Sequence, residues 1–352
     1  MKYSSQEHKL IEKIEKNITD VTPGVCARAY HLGRLVCDIN VGLTYPYYDL
    51  ASLTKVIFTQ QAMMEAFDQG HWNLTTKVKE ILPDFKHSEV LITELLTHTS
   101  GLEWWIPFYK DIPIDKKWSD KRLWIFQKIN QSSIKKTDKA VYSDLGFILL
   151  GFVLEKIYQK SILDVWNDLK SRYYPTTTLG FHVENKTDIP YAQFAPTEDC
   201  AWRKKIMRAE VHDENTWSFG GVSSHAGLFG SIEDVSAVGL NLRSQLQGIA
   251  RYNIRQKTAQ LFATRAIPSE VGDWALGYMM PSLQSPSCGP HFSIFSIGHT
   301  GFTGTSMWYD PRHDLLVIVL SNRIHYGREN KAFIQLRPQI HSWIFESLKR
   351  TV

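Results

Sequence analysis

The start of the chain combines one segment of helical periodicity with two segments of strand periodicity. Charged and apolar positions over residues 5–17 repeat with the spacing of an amphipathic helix. Residues 25–30 and 35–40 then alternate around a glycine at position 33, which is typical of two strands joined by a tight turn. The N-terminal region is therefore predicted to be a helix followed by a β-hairpin.

The middle of the chain returns to helical periodicity. Apolar residues recur at helical spacing from position 50 to the glycine at position 70, which predicts a helix with Ser52 on its first turn. Residues 75–205 are mainly helical and loop-like, with strong helical segments at 89–97 and 145–159. This part of the chain is predicted to contribute little to a sheet.

Strand-like segments dominate again after about residue 268. They lie at 274–280, 292–297, 305–309 and 315–321, and a terminal helix is predicted at 330–349. Strands at both ends and helices between them predict an α+β fold, with a sheet lobe built from both termini and a helical lobe inserted into it. We expect the sheet lobe to comprise 1–60 and 206–352, and the helical lobe 61–205.

Composition adds the expectation of an ordinary folded protein without a nucleic-acid partner. The 352 residues are 43% hydrophobic and 22% charged, and the net charge of +4 is scattered along the chain. The four cysteines lack the spacing of metal or redox motifs and are predicted to be reduced, buried thiols. Cys26 and Cys37 would face each other only if the hairpin register centred between them.

The first residues are charged and lack the apolar segment that a secretory signal contains. No apolar run in the sequence is long enough to span a membrane. We expect a cytoplasmic protein, or a periplasmic or secreted one if a leader has been removed.

A serine and a lysine three residues apart provide the first candidate chemistry. Ser52 and Lys55, in Ser52-Leu-Thr-Lys55, would share one face of the predicted helix near its N-terminus. A partly desolvated lysine there can act as the base that a serine nucleophile needs. Alternatively, Ser52 caps the helix and Lys55 points to solvent. The same spacing recurs at 132–135 and 133–136, but in a polar segment without a helical face.

Two further short motifs follow in the chain. Tyr142-Ser-Asp144 precedes an apolar helix, of which Asp144 is alternatively the N-cap. A competing Tyr-x-Asp occurs at 47–49, directly before Ser52. His299-Thr300-Gly301 ends a predicted strand in a glycine-rich turn, which would let a substrate approach the backbone closely. Other His-x-Gly triplets begin at residues 31 and 225.

These three motifs, in this order, resemble the serine β-lactamase and penicillin-binding-protein superfamily, in the branch of class C β-lactamases, D,D-peptidases and related esterases. Further phrases resemble the same branch, and with the motifs they extend the resemblance over about residues 20–345. These phrases are ELLTHTSGL (94–102), FAPTE (194–198), VHDEN (211–215), GGVSSHAGLFGSIEDV (220–235) and LSNR (320–323).

The resemblance implies an antiparallel β-sheet flanked by helices, a helical lobe, and an active site at their junction. It implies that Ser52 attacks an ester or amide carbonyl to form an acyl-enzyme, while Lys55 and Tyr142 move the protons in roles that stay open. The backbone amides of Ser52 and Phe302 would form the oxyanion hole. Asp144, His299, Thr300 and Gly301 would support the site.

Two motif positions depart from the family pattern. Asp144 stands where an asparagine is expected, and its carboxylate would hold Lys55 protonated. His299 stands where a lysine is expected, and a largely neutral histidine would hold a substrate carboxylate less well. This difference favours esterase or amidase chemistry over β-lactamase or carboxypeptidase chemistry.

Histidines and tryptophans provide the remaining candidates. His212, Asp213 and His225 lack the spacing of a known zinc site, so VHDEN is interpreted as a hydrogen-bonded loop near the cleft, and no metal or cofactor is expected. Trp104, Trp105 and Trp118 are interpreted either as an acyl-binding wall of the substrate cleft or as packing of the helical lobe.

The sequence thus predicts a cofactor-independent serine hydrolase that acts on a small ester, amide or peptide, without a nucleic-acid partner and without a membrane span. One alternative is a D,D-carboxypeptidase or β-lactamase acting on cell-wall-type substrates. The other is a catalytically silent relative that binds a muropeptide or peptide. The oligomeric state stays open.

Overall fold

The structure is a computed structural model that describes residues 4–113, 115–249 and 254–349. In chain order the helices are α1 (Ser5–Ile18), α2 (Gln60–Asp68), α3 (Val78–Ile81), α4 (Ile92–Leu96), α5 (Phe108–Asp111), α6 (Trp118–Gln131), α7 (Asp144–Tyr158), α8 (Ile162–Tyr173), α9 (Glu214–Ser218), α10 (Ile232–Leu246), α11 (Gln256–Phe262) and α12 (Ala332–Lys349). A π-helical turn at Lys55–Thr59 precedes α2, and short 3₁₀ turns occupy Val183–Asn185, Tyr191–Gln193 and Arg323–Tyr326.

The strands are β1 (Gly24–His31), β2 (Arg34–Gly42), β3 (Tyr48–Asp49), β4 (Gly180–Phe181), β5 (Asp199–Cys200), β6 (Lys205–Ile206), β7 (Leu228–Gly230), β8 (Ile297–Thr300), β9 (Ser306–Asp310) and β10 (Leu315–Ser321). A five-stranded antiparallel sheet has the order β2-β1-β10-β9-β8, so the N-terminal hairpin pairs with the C-terminal strands. The predicted α+β fold with an antiparallel sheet made from both termini is confirmed.

The central strand β10 is covered on both faces. Leu315, Val317 and Val319 pack in one core cluster with residues of α1 and α12. Leu316, Ile318 and Leu320 point the other way, into a cluster that continues through α10 and on into α2, α7 and α8. Because side chains alternate along a strand and both faces are apolar, every residue of β10 is buried. One continuous core therefore joins this face of the sheet to the inserted helices, whereas the lobe boundaries stay a prediction.

The segment between α11 and β8 differs from its predicted strands. Only isolated bridges form there, from Met279 to Trp274 and to Gly298, and residues 292–297 reach a strand only at Ile297. The two predicted strands, 274–280 and 292–297, are therefore wrong over most of their length. A local turn explains the first difference, because Gly277 has a φ of 89° and the Ala275 amide donates to the Tyr278 carbonyl at 2.9 Å instead of to a neighbouring strand.

The start of the helix after Ser52 also differs from the prediction. Ser52 lies in a turn, and the helical residues begin at Leu53 and pass through the π-helical turn before α2. Other predicted elements are confirmed within a few residues, among them the first helix, the hairpin, α7, β9, β10 and the terminal helix.

The cysteines are buried and free, as predicted. In the hairpin register Cys26 lies opposite Asn40 and Cys37 opposite Ala29, so the two thiols do not face each other. Burial raises the pKa of Cys26 to about 11 and that of Cys37 to about 12. Across the described residues, no helix is both long and apolar enough to cross a membrane.

We predict that the core around β10 dominates stability. Ile318 is 0% exposed, so Ile318→Ala should lower the free energy of unfolding by about 2–5 kcal/mol, because it leaves a cavity between the sheet and the helices. Leu283→Ala is the matched control, since Leu283 is 80% exposed and its loss should change stability by less than about 0.5 kcal/mol. Urea denaturation followed by circular dichroism measures both, and equal effects would contradict the prediction.

Candidate active site

The turn that carries Ser52 is held rigidly between the sheet and a neighbouring loop. The Asp49 carboxylate accepts hydrogen bonds from the backbone amides of Ala51, at 2.8 Å, and His212, at 2.7 Å. The hydroxyls of Thr303 and Thr305 donate to the backbone carbonyls of Asp49 and Leu50, at 2.7 and 3.0 Å. These contacts fix Ser52 against the turn that follows β8.

Gly301 allows that close approach. A Cβ atom at this position would lie 2.7 Å from the Leu50 carbonyl oxygen and 2.0 Å from the Thr305 hydroxyl. Any larger residue would push the β8–β9 turn away from Ser52.

Lys55 is fully buried, and its amino group has three partners. Its Nζ lies 2.6 Å from Asp144 Oδ1, 3.0 Å from the His225 carbonyl oxygen and 3.2 Å from Ser52 Oγ. An ammonium group has three donors and no acceptor, so these three oxygens satisfy the protonated form. The resting site therefore holds a Lys55–Asp144 ion pair, with Ser52 Oγ as the third acceptor.

Electrostatics agree with this protonation state. Burial favours the neutral amine, but the attraction of Asp144 and then of Tyr142 outweighs it and raises the pKa of Lys55. Burial raises the pKa of Tyr142. The nearby Lys55, whose Nζ lies 5.0 Å from the centre of the tyrosine ring, offsets part of this rise. At neutral pH the pair is therefore an ammonium beside a neutral phenol.

The start of α7 aims Asp144 at Lys55. Ser143, and not Asp144, is the N-cap of this helix, because its hydroxyl accepts a hydrogen bond from the Gly146 amide at 3.2 Å. The alternative that Asp144 is the cap is therefore wrong, and its carboxylate is free to pair with Lys55. The backbone amide of Asp144 donates to the Trp104 carbonyl at 2.9 Å, which ties α7 to the cleft wall.

His299 is a buried, neutral imidazole at the end of β8. Its Nδ1 lies 2.8 Å from the Thr300 carbonyl, which assigns the ring proton to Nδ1 and leaves Nε2 as a buried acceptor without a partner in the described residues. Burial, followed by repulsion from Lys55, lowers the pKa of His299 to about 3. The position where the family has a lysine thus carries no positive charge at neutral pH.

A second buried histidine, His98, was missed as a site residue by the sequence analysis. Its ring packs against Tyr142, Phe147 and Trp274, and its Nδ1 accepts a hydrogen bond from the Ser143 amide at 3.1 Å. Burial and the nearby Lys55 lower its pKa well below the usual value. His98 therefore orients Tyr142 as a neutral ring, and the phrase ELLTHTSGL, which contains it, was the available signal.

The amides predicted for the oxyanion hole belong to Ser52 and Phe302. In the described part of the chain, neither amide donates a hydrogen bond to another protein group. The Phe302 carbonyl accepts a hydrogen bond from Arg323 Nε at 2.8 Å, and the Arg323 guanidinium lies 4.7 Å from the centre of the Phe302 ring. These contacts orient the peptide that carries the Phe302 amide.

The loop from 211 to 225 supports the site through hydrogen bonds. Asp213 caps α9 and pairs with His225 Nε2 at 3.1 Å, while Ser223 Oγ lies 2.8 Å from His225 Nδ1. His225 is thereby fixed with its carbonyl on Lys55. In the described residues, no group of three or more histidine, cysteine or acidic side chains could hold a metal ion.

A cleft of about 640 Å³ gives access to these groups. Ser52, Tyr142 and His299 line it, together with Trp104 and Trp105, whose rings stack with centres 5.7 Å apart. Trp104 is 62% exposed, so it forms an open wall rather than core packing. Trp118, by contrast, packs near Phe219 and Arg122 and does not line the cleft.

The competing motifs lie elsewhere or have other tasks. Ser132 follows the last residue of α6, and the polar segment after it forms no helix. The Asp49 carboxylate accepts backbone hydrogen bonds beneath the Ser52 turn, and His31 is the last residue of β1. The three motifs of the family resemblance meet at one cleft, where the structure brings together Ser52, Lys55, Tyr142, Asp144 and His299.

Comparison with known proteins identifies the family. The Beta-lactamase family model matches residues 20–338. An N-acetylmuramyl-L-alanine amidase of Bacillus subtilis (strain 168) is 29% identical over 370 residues, which cover 90% of this chain and 81% of the amidase. A protein of Salmonella agona (strain SL483), named provisionally as a D-alanyl-D-alanine carboxypeptidase, is 27% identical over 85% of this chain and 74% of its own length.

A solved structure supports the same fold. EstCE1, a hydrolase with promiscuous acyltransferase activity, superposes with a TM-score of 0.72 at 17% identity, covering 96% of this chain and 98% of EstCE1. The family resemblance seen in the three motifs is thus confirmed over nearly the whole chain. Since the family model spans most of its length, the chain belongs to the beta-lactamase family and is a serine hydrolase.

Proposed function

We propose that Ser52 is the nucleophile of this hydrolase and that it cleaves esters or amides through an acyl-enzyme. The observation that supports this most is the hydrogen bond from the fully buried Lys55 to Ser52 Oγ, at the floor of an open cleft. A lysine that only covers apolar surface extends its ammonium group into water. Here the chain buries the charge directly beside a serine hydroxyl.

Lys55 and Tyr142 act as one proton-transfer pair in this proposal. Because each affects the pKa of the other, the pair titrates as a unit. After the pair loses one proton to solvent, it accepts the Ser52 hydroxyl proton as Oγ bonds to the substrate carbonyl carbon. It then gives that proton to the departing oxygen or nitrogen. Water repeats the sequence on the acyl-enzyme, which releases the acid and restores Ser52.

The amides of Ser52 and Phe302 would stabilise the carbonyl oxygen as it becomes negative. Both belong to segments that side chains lock in place, Ser52 through Asp49 and Phe302 through Arg323. Donors that are fixed before the reaction need no reorganisation when the charge develops, and a single such donor contributes roughly 10²–10³ in rate.

An esterase-like preference is the main proposal for the substrate. The neutral His299 provides no fixed charge for the carboxylate that a penicillin or a D-alanyl peptide would present beside the reacting bond. The wall of Trp104 and Trp105, with the half-exposed Phe302, favours a partly apolar acyl or leaving group. EstCE1, which shares the fold, is a hydrolase with acyltransferase activity, in line with acyl transfer to and from a serine.

Cell-wall-type substrates are the second candidate. The names of the amidase and carboxypeptidase relatives, and the presence of charged side chains along the same cleft, favour this candidate. A fluorescent penicillin that acylates Ser52 and stays bound would support the peptidase alternative over the lactamase one.

We predict that covalent labelling depends on Ser52. A fluorophosphonate probe should label the wild-type protein, and Ser52→Ala should abolish both labelling and hydrolysis of short p-nitrophenyl esters, because no other group would form the acyl-enzyme. Ser133→Ala is the matched control, since Ser133 has the same spacing to a lysine but is exposed. It should retain wild-type labelling. A wild-type protein that neither reacts with the probe nor turns over any ester would contradict the enzyme proposal and favour a silent binding protein.

We also predict that Asp144 sets the pH dependence. Its negative charge raises the pKa of Lys55 and that of Tyr142, so Asp144→Asn should lower both. The pair then loses its proton at a lower pH, and the rising limb of kcat/KM against pH should move down by about 1–3 pH units. An asparagine oxygen can still accept the Lys55 hydrogen bond, which limits the structural change.

The control for this profile is Glu12→Gln, which removes the same charge from an exposed position on α1. Its profile should match the wild type. A rising limb that stays in place in Asp144→Asn would show that this carboxylate does not control the reacting pair.

A further inference from the structure

The aromatic wall of the catalytic cleft continues beyond the cleft. The ring centre of Trp105 lies 6.2 Å from that of Tyr109, and Tyr109 lies 4.6 Å from Trp202. Trp202 lies 5.4 Å from Trp217, which belongs to α9. These rings and the adjacent Trp104 are called the aromatic strip below. The far end of the strip lines a second pocket of about 480 Å³, which lies outside the catalytic cleft.

Contacts with the rest of the chain hold the strip in place. The buried Asn215 accepts a hydrogen bond from the Tyr109 amide at 3.1 Å. Arg203 donates to two backbone carbonyls of the neighbouring loop, at 3.0 and 2.6 Å. Its guanidinium lies 5.5 Å from the ring centre of Trp202 and 5.8 Å from that of Trp217. The rings are therefore largely ordered before a ligand binds, which lowers the entropic cost of binding.

The charged side chains around the second pocket mostly pair with each other. Glu184 pairs with Lys186 at 2.9 Å, and Glu210 pairs with Lys205 at 2.6 Å. Glu210 also accepts a hydrogen bond from Trp217 Nε1 at 2.9 Å. These groups do not require a charged ligand.

The neutral polar groups of the pocket are also used within the chain. Asn185 Nδ2 donates to the Trp217 carbonyl at 3.1 Å, and the Ser218 hydroxyl donates to the Asn215 carbonyl at 2.7 Å. Asn185 Oδ1 has no partner in the described residues, but this atom is buried. Lys121 lines the pocket without an ion pair in the described part of the chain, and its long stem lets the ammonium remain in water. A sugar needs free donors and acceptors for its hydroxyls, so the pocket suits an apolar ligand better.

The strip keeps apolar surface in contact with water. Trp104 at one end is 62% exposed, and Trp202 near the other end is 39% exposed. Contiguous apolar surface of this kind marks a binding site, and aromatic rings provide a large apolar area. Because the strip begins at the wall of the catalytic cleft, its ligand is most simply a part of the substrate itself.

We propose that the aromatic strip binds a long apolar chain carried by the substrate, with the end of the chain in the second pocket. This proposal rests on the proposed hydrolase function and specifies its substrate class as esters with long apolar chains. A two-carbon acetyl group is too short to span one step between neighbouring rings, so only a long chain extends from the cleft to Trp202. Each methylene group that leaves water on this surface contributes to binding.

A comparison of chain lengths tests the strip. On the acyl side, 4-nitrophenyl decanoate is compared with 4-nitrophenyl acetate, and on the alcohol side decyl acetate is compared with ethyl acetate. All esters are used below the concentrations at which they aggregate. The wild type should favour the long member of one pair in kcat/KM, and that pair tells which half of the substrate lies on the strip. Trp202→Ala should lower this preference by about fourfold to fiftyfold, the loss expected for one to three buried methylene groups, and should leave the rate with the short ester unchanged.

Two further variants separate chain binding from other causes. Phe295→Ala removes an aromatic ring that is 54% exposed outside the strip and should leave the preference as in the wild type. Trp202→Leu keeps apolar surface without a flat ring and should keep part of the preference, because the hydrophobic effect is non-directional. If Trp202→Ala slows both members of a pair equally, or changes neither, the strip does not hold the chain and the proposal is wrong. It is also wrong if the wild type favours the long ester in neither pair.

A binding measurement distinguishes failure of the strip from failure of the hydrolase proposal. In the Ser52→Ala background, titration calorimetry compares methyl decanoate with methyl acetate and with maltotetraose. Tighter binding of methyl decanoate that is lost with Trp202→Ala supports the strip, even if the wild type hydrolyses none of the esters. Hydrolysis without any effect of Trp202→Ala on the chain-length preference supports the hydrolase and overturns the strip. Binding of maltotetraose, but not of methyl decanoate, overturns the proposal in favour of a saccharide site.

Discussion

The buried ion pair between Lys55 and Asp144 is the interaction on which the site depends. An unpaired ammonium is strongly unfavourable in a protein interior, so the fold must provide acceptors from every side. It provides them from separate segments, namely the Ser52 turn, the start of α7 and the loop that ends at His225. The sheet, the inserted helices and the loop before β7 are thus all tied to one nitrogen atom.

The charge distribution around that nitrogen explains the chemical character of the cleft. The imidazoles of His98 and His299 are kept neutral by burial and by repulsion from Lys55, which lower their pKa values. Positive charge reappears further along the cleft at Arg323 and Arg337, which are anchored by backbone carbonyls. The cleft therefore separates the lysine that is proposed to move protons from the two buried guanidinium groups. The family pattern has a lysine at the position of His299. That single charge would lie close enough to influence both the proton-transfer pair and a bound anion.

Sequence reasoning succeeded where local periodicity and motif order carried the information. The hairpin, α7, β9, β10 and the terminal helix follow from alternation or helical spacing, and the three motifs follow from their order along the chain. It failed where tertiary contacts decide. Residues 274–280 have strand-forming side chains but make only isolated bridges, and Ser143 rather than Asp144 caps α7. The phrase ELLTHTSGL contains His98, but only the tertiary contacts show that this residue of the phrase packs against Tyr142 and Trp274.

The sequence by itself determined the fold class, the family resemblance and the candidates for the reacting groups, since these depend on residue type, spacing and order. Only the tertiary structure decided the protonation states. Whether Lys55 is an ammonium, and whether His299 is neutral, depends on burial and on charges that lie far away in the chain, such as Asp144, 89 residues from Lys55. The same holds for Arg323 and Arg337, which chain folding brings to one turn where the described residues place no carboxylate in contact with them. Distances and desolvation set these properties, and a linear sequence records neither.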